Sequence, residues 1–211
     1  MTRCRSFLRG ALLASALGAV LVGGSGATPP AEGDVSFESL EHYSLGAFFE
    51  ARDRLSEAVH EYRLALQDSP HSAEVLGSLA RVYLRQREAE KARESAEAAL
   101  KEDPGNADAL EVMVQLHLGE RDLVAAVADL QDLVRAEPGD LEHRVRLSEL
   151  LERTGDLEGA VHELREAARI RPGLAQVHFR LASLLSRLGR LDDALAEYET
   201  VLRIEPGYVD A

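Results

Sequence analysis

Prolines stand at positions 70, 104, 138, 172 and 206, a constant step from each to the next. Only seven prolines occur in the chain, so abundance does not explain the interval. A fixed period of about 20 to 50 residues marks an architecture made by stacking one small unit on the next. Each unit of such an array buries its apolar face against its neighbours, not in a single central core. With the proline as the thirty-second residue, five units follow: 39–72, 73–106, 107–140, 141–174 and 175–208. Glycine follows the proline in four of them, as Pro104-Gly105, Pro138-Gly139, Pro172-Gly173 and Pro206-Gly207.

Inside each unit two apolar patterns with helical spacing flank a polar break. The first halves carry Leu45, Gly46 and Phe49; Leu79, Ala80 and Tyr83; Met113, Val114 and His117; Leu147, Ser148 and Leu151; Leu181, Ala182 and Leu185. The second halves carry Ala58, Tyr62 and Ala65; Ala92, Ala96 and Ala99; Ala126, Leu130 and Leu133; Ala160, Leu164 and Ala167; Ala194, Tyr198 and Val201. Spacing of i, i+4 and i+7 sets each second group on one helix face. Breaks such as Thr154-Gly155-Asp156 and Leu188-Gly189-Arg190 supply the turn between paired helices, and the proline ends the second helix. Ala, Leu, Glu and Arg fill the remaining positions, which predicts an all-α chain.

This pattern resembles the tetratricopeptide repeat family, whose signature is W-x2-L-G-x2-Y, then A-x3-F, then P. The first unit reads Leu45-Gly46-x2-Phe49, Ala58-x3-Tyr62 and Pro70, with His42 where the family often has tryptophan. The third unit departs most, with His117 in place of the aromatic. The resemblance spans residues 39 to 208 and implies an α-solenoid wound into a right-handed superhelix, with the first helix of each unit lining a concave groove that takes the ligand. The groove positions that it implies include Tyr43, Glu50, Arg81, Arg85, Glu111, Gln115, Glu149 and Phe179. Arg81 and Arg85 are four apart and share a helix face, where they could hold a carboxylate of a partner peptide with Tyr43 packed beside it. The alternative is that they neutralise Asp108 and Glu111 of the next unit, or are solvated. The lysine and asparagine clamp of chaperone-binding members is missing, because the matching positions are Tyr43, Ala47, Ser78, Asp108 and Val112.

Residues 1–27 differ from the rest. Arg3, Arg5 and Arg9 precede the apolar run Gly10 to Val22, and Ser25-Gly26-Ala27 closes the segment with small residues. This is the form of a secretory signal peptide, followed by a short linker at 28–38. The run is shorter than the roughly 20 residues of a comfortable membrane span, so an uncleaved N-terminal anchor is the second reading. Cleavage would take away the one cysteine, Cys4, and with it disulfides and thiol chemistry. It would also move the net charge from -13 to -16 by removing three arginines. A body so acidic is a poor match for nucleic acid or anionic membrane.

Nothing in the sequence argues for catalysis. Gly23-Gly24-Ser25-Gly26 lacks the lysine of a phosphate loop, and no histidine pair at i, i+3 or i+4 suggests a metal site. No cofactor is expected. Val209, Asp210 and Ala211 read as the start of a sixth unit, so Leu195, Tyr198, Val201 and Leu202 are expected to lie uncovered. A longer array, a docked partner, a second copy of the chain or a tolerated edge would each account for that. The expectation is an exported, non-catalytic interaction scaffold or adaptor of the bacterial periplasm or outer envelope, binding a partner peptide or helix. The alternative is the substrate-recruiting arm of a larger envelope enzyme.

Overall fold

Strong helix formers broken at regular polar sites can only make short helices joined by tight turns. The computed structural model describes residues 37–207, and every regular element among them is an α-helix. In chain order these are α1 (Phe37–Glu50), α2 (Leu55–Asp68), α3 (Ala73–Arg85), α4 (Ala89–Glu102), α5 (Ala107–Glu120), α6 (Leu123–Ala136), α7 (Leu141–Thr154), α8 (Leu157–Ile170), α9 (Ala175–Arg187) and α10 (Leu191–Ile204). The expected signal segment, most of the linker at 28–38 and the start of a sixth unit at 209–211 lie outside the described residues. α3, α5, α7 and α9 begin at 73, 107, 141 and 175, so the proline period is also the backbone period. α1 begins at Phe37, just ahead of the proline register. Among the described residues no helix is long and apolar enough to cross a membrane.

The second helix of each pair stops just short of its proline, at Asp68, Glu102, Ala136, Ile170 and Ile204. Proline has no N–H to continue the ladder, and it disfavours helical geometry in the residue before it. The turn inside each pair has one recurring form. The fifteenth residue of every unit is left-handed: Asp53 at φ 58°, Arg87 at 64°, Arg121 at 63°, Gly155 at 90° and Gly189 at 74°. The next N–H then reaches back along the helix, from Arg54 to Phe49, Glu88 to Tyr83, Asp122 to His117, Asp156 to Leu151 and Arg190 to Leu185, at 2.8 to 3.0 Å. These are Schellman closures, which favour glycine at the left-handed position. Three of the five are built on residues that carry a side chain.

Packing follows the small residues. Ala58, Ala92, Ala126, Ala160 and Ala194 hold one equivalent position and are at most 2% exposed. Ala65, Ala99, Leu133, Ala167 and Val201 hold another and are fully buried. Gly46 is fixed by its neighbour, since a Cβ there would lie 2.5 Å from two ring carbons of Tyr62. Among the described residues Tyr62 is the largest side chain that is wholly enclosed.

The place often taken by tryptophan in this repeat pattern is a polar slot in three units. Nδ1 of His42 is 2.7 Å from Glu61, Arg144 donates to Glu163 at 2.8 Å, and Nδ1 of His178 is 2.7 Å from Glu197. Arg144 also donates twice to the Pro138 carbonyl, and the other ring nitrogen of His178 lies 3.0 Å from the Pro172 carbonyl. In the last two units one side chain thus ties its own second helix to the proline turn of the preceding unit. Leu76 and Leu110 fill the slot with hydrocarbon in the other two units.

Candidate protein-binding face

The first helices α1, α3, α5, α7 and α9 are joined edge to edge by ion pairs, which places their polar sides on one common face. Arg81 of α3 grips Glu50 of α1 with two parallel bonds, Nε to Oε1 at 2.8 Å and Nη2 to Oε2 at 3.0 Å. Its remaining nitrogen pairs with Asp108 of α5. Arg85 reaches Glu50 at 3.3 Å and Asp53 at 2.8 Å. Arg146 of α7 holds Glu111 of α5 at 2.8 and 3.1 Å, while Arg180 and Arg187 of α9 pair with Glu149 and Glu152 of α7.

Glu50 is the hub of this lacing. It is only 8% exposed and also accepts a 2.9 Å hydrogen bond from Tyr62. Burial alone would push its carboxyl up, but hydrogen bonds from Arg81 and Tyr62 and the charges of both arginines hold it below its ordinary value. The bond to Glu50 raises Arg81, and burial with the same carboxylate raises the Tyr62 phenol. Burial likewise raises Tyr43.

The sequence-derived groove residues therefore divide. Arg81 and Arg85 are not two free cations waiting for a partner carboxylate, because Glu50 already fills that role from within the chain. Their main counter-ion lies in the preceding unit. Asp108 of the following unit takes part as expected, whereas Glu111 belongs to Arg146 and accepts from Gln115 at 2.9 Å. The reason is geometric: Arg81 lies near the middle of α3, within reach of both flanking helices. Tyr43 packs on Tyr62, with ring centroids 5.7 Å apart. Each first helix also carries a half-buried apolar side chain at one of the face positions: Tyr43, Val145 and Phe179 at the fifth residue of their units, and Leu84 and Leu118 at the twelfth, about two turns further along. Beside Val145 an open cleft of about 500 Å³ is lined by Leu141, Glu142, Arg146, Ile170 and Arg171 among others.

At the far end the expectation needs correction at two positions. Leu195 and Leu202 are 59% and 42% exposed, and Leu191 is 66% exposed. Val201 is fully buried, since its position faces inward in every unit, and Tyr198 is half-buried with its ring 5.8 Å from that of Phe179. Reading this helix as one apolar stripe merged its inner and outer faces.

Tetratricopeptide repeat models match residues 50–116, 112–175 and 151–211. The chain belongs to the tetratricopeptide repeat family. No curated protein matches it. Among solved structures, a crystal structure of MamA superposes with a TM-score of 0.64 at 18% identity, covering 80% of this chain and 92% of that one. YrrB, described as a TPR protein with an unusual peptide-binding site, gives 0.63 at 19% identity, covering 82% and 89%. MamA from Desulfovibrio magneticus RS-1 gives 0.62 at 16% identity, covering 83% and 99%. These likenesses establish the fold, an all-α helical-repeat solenoid.

Proposed function

We propose that this protein is a non-catalytic interaction scaffold of the bacterial cell envelope, and that the face of α1, α3, α5, α7 and α9 receives a peptide or helix of a partner protein. The observation that carries the reading is a half-buried apolar side chain in every first helix (Tyr43, Leu84, Leu118, Val145 and Phe179) beside the paired arginines Arg81, Arg85, Arg146, Arg180 and Arg187. Such a face offers apolar contact and orienting hydrogen bonds without a large net charge, which suits a peptide anchored by side chains on one face. Membership of the repeat family supports a protein as the ligand, and the peptide-binding site in the description of YrrB belongs to a chain of similar fold. The export assignment is supported by the basic start and apolar run of residues 1–27.

The test is position-dependent photocrosslinking in the native cell envelope. A photoreactive residue at Gln115 or Ala47, on the proposed face, should join a discrete partner. The same residue at Glu97 or Asp132, exposed or half-buried on second helices, should not. Crosslinks from the second-helix sites alone would overturn the choice of face. Recovery from the cytoplasm would overturn the export assignment, and an intact mass that retains residues 1–27 in the envelope would replace the cleaved signal with the N-terminal anchor.

A further inference from the structure

At the passage from the third unit to the fourth, the chain brings three ligand-bearing side chains together across one loop and the first turn of the helix that follows it. Glu137 follows the last residue of α6, Asp140 caps α7, and His143 lies in the first turn of α7. Nδ1 of His143 is 3.3 Å from a Glu137 oxygen and 3.7 Å from an Asp140 oxygen, and one ligand atom from each residue lies within 4.8 Å of the others. The histidine ring is largely buried, and its Nδ1 is wholly so, without a hydrogen-bond partner. A buried nitrogen whose nearest acceptors are not aligned for a hydrogen bond is costly, and native folds rarely leave one.

From this the geometry points to a divalent metal site held by Glu137, Asp140 and His143, suited to Zn²⁺ and related borderline ions. Imidazole with carboxylates is the donor set such ions take, and a bond length near 2.0 to 2.2 Å places tetrahedral ligand atoms about 3.4 Å apart. The observed 3.3 and 3.7 Å separations already approximate two edges of that tetrahedron. The backbone N–H of His143 donates to the same Asp140 oxygen, Oδ1, at 3.0 Å, which holds that oxygen in place and leaves it a second lone pair for the ion. A fourth ligand position stays open to water or to a carboxylate from outside. The corresponding triplets at the other passages are Ser69, Ser72 and Val75; Asp103, Asn106 and Ala109; and Arg171, Leu174 and Val177. None of them could do the same, so the site is a property of this junction and not of the repeat. The metal-free alternative is an ion pair between protonated His143 and Glu137, with Nδ1 poorly aligned on its acceptor.

Titration of the untagged full chain with Zn²⁺ by calorimetry, in a buffer that does not bind metal, separates the two. One ion should bind per chain, with affinity at least tenfold weaker in both His143→Gln and Glu137→Gln and unchanged in His60→Gln and His162→Gln. Glu137 is exposed in a loop, so Glu137→Gln decides the matter even if the histidine variant fails to fold. A wild-type chain that takes up no Zn²⁺ overturns the proposal. Uptake that Glu137→Gln leaves untouched overturns it equally, because the ion would then sit elsewhere on an acidic surface.

Discussion

Glu50→Ala is the substitution that most directly probes how the first three units are joined. Among the described residues its carboxylate is the only acceptor of the Tyr62 hydroxyl, and that ring is completely enclosed. Leaving a buried hydroxyl without a partner costs about 1–3 kcal/mol. Arg81 and Arg85 lose the same carboxylate, but their side chains are 39% and 40% exposed and can be rehydrated. Each loss is therefore nearer the roughly 0.2–1 kcal/mol of a surface pair. Together the cost is about 2–4 kcal/mol, or on the order of 10 °C in melting temperature for a chain of this length. Urea unfolding of Glu50→Ala, Tyr62→Phe and the double variant would measure it. The double variant should lose clearly less than the sum of the singles, since the phenyl ring left by Tyr62→Phe has no hydroxyl to strand. Additive effects, or a cost for Glu50→Ala below about 1 kcal/mol, would refute the reasoning. The acid limb gives an independent check. Glu50 sits below its ordinary value of 4.5 when folded, so it binds a proton more weakly folded than unfolded. Its stabilisation is complete above that ordinary value and is lost as pH falls through the depressed folded value. Wild type should thus lose stability more steeply below pH 4.5 than Glu50→Ala does.

Other expectations follow from the backbone and core. Gly46→Ala should cost about 1–3 kcal/mol by forcing its methyl against the Tyr62 ring, read as a lowered urea midpoint with an unchanged slope. Arg87→Gly and Arg121→Gly should each stabilise by up to about 1 kcal/mol by relieving a left-handed residue that has a Cβ, whereas Gly155→Ala should cost about 1–2 kcal/mol; thermal melts of the three variants check the opposite signs. Arg144→Met should cost about 1–3 kcal/mol in urea unfolding by taking the charged partner from the half-buried Glu163 and two donors from the Pro138 carbonyl, and adding Glu163→Leu should recover part of that loss.

The fold was legible because its signals are local and repeated. Evenly spaced prolines, alanines at the close contacts and apolar spacing within each half name the helices, although α1 starts at Phe37, inside the expected linker and ahead of the repeat register. The left-handed fifteenth residue was visible only as Gly155 and Gly189. Asp53, Arg87 and Arg121 disguise the same turn, because the Schellman hydrogen bonds impose a conformation that local preference alone would refuse. The site was less legible. Burial of Glu50 against Arg81 depends on the stagger of α1 and α3, which no spacing within either helix reports. Val201 was misplaced because an apolar residue on the last helix does not say which side it faces. Glu137, Asp140 and His143 escape any pattern built on paired histidines, although spacing of i, i+3 and i+6 across the proline turn brings them together.

The arginine lacing makes the order of the units matter. Similar backbones suggest bricks that could be shuffled or deleted one whole unit at a time, yet the charges are addressed. Excise 107–140 and α7 would meet α3, where Arg81 could still find Glu142 in place of Asp108. Arg146 would face Gly77 where Glu111 had been. Each unit carries half of a lock whose other half is on a particular neighbour, so the array reads its own sequence of repeats as it assembles.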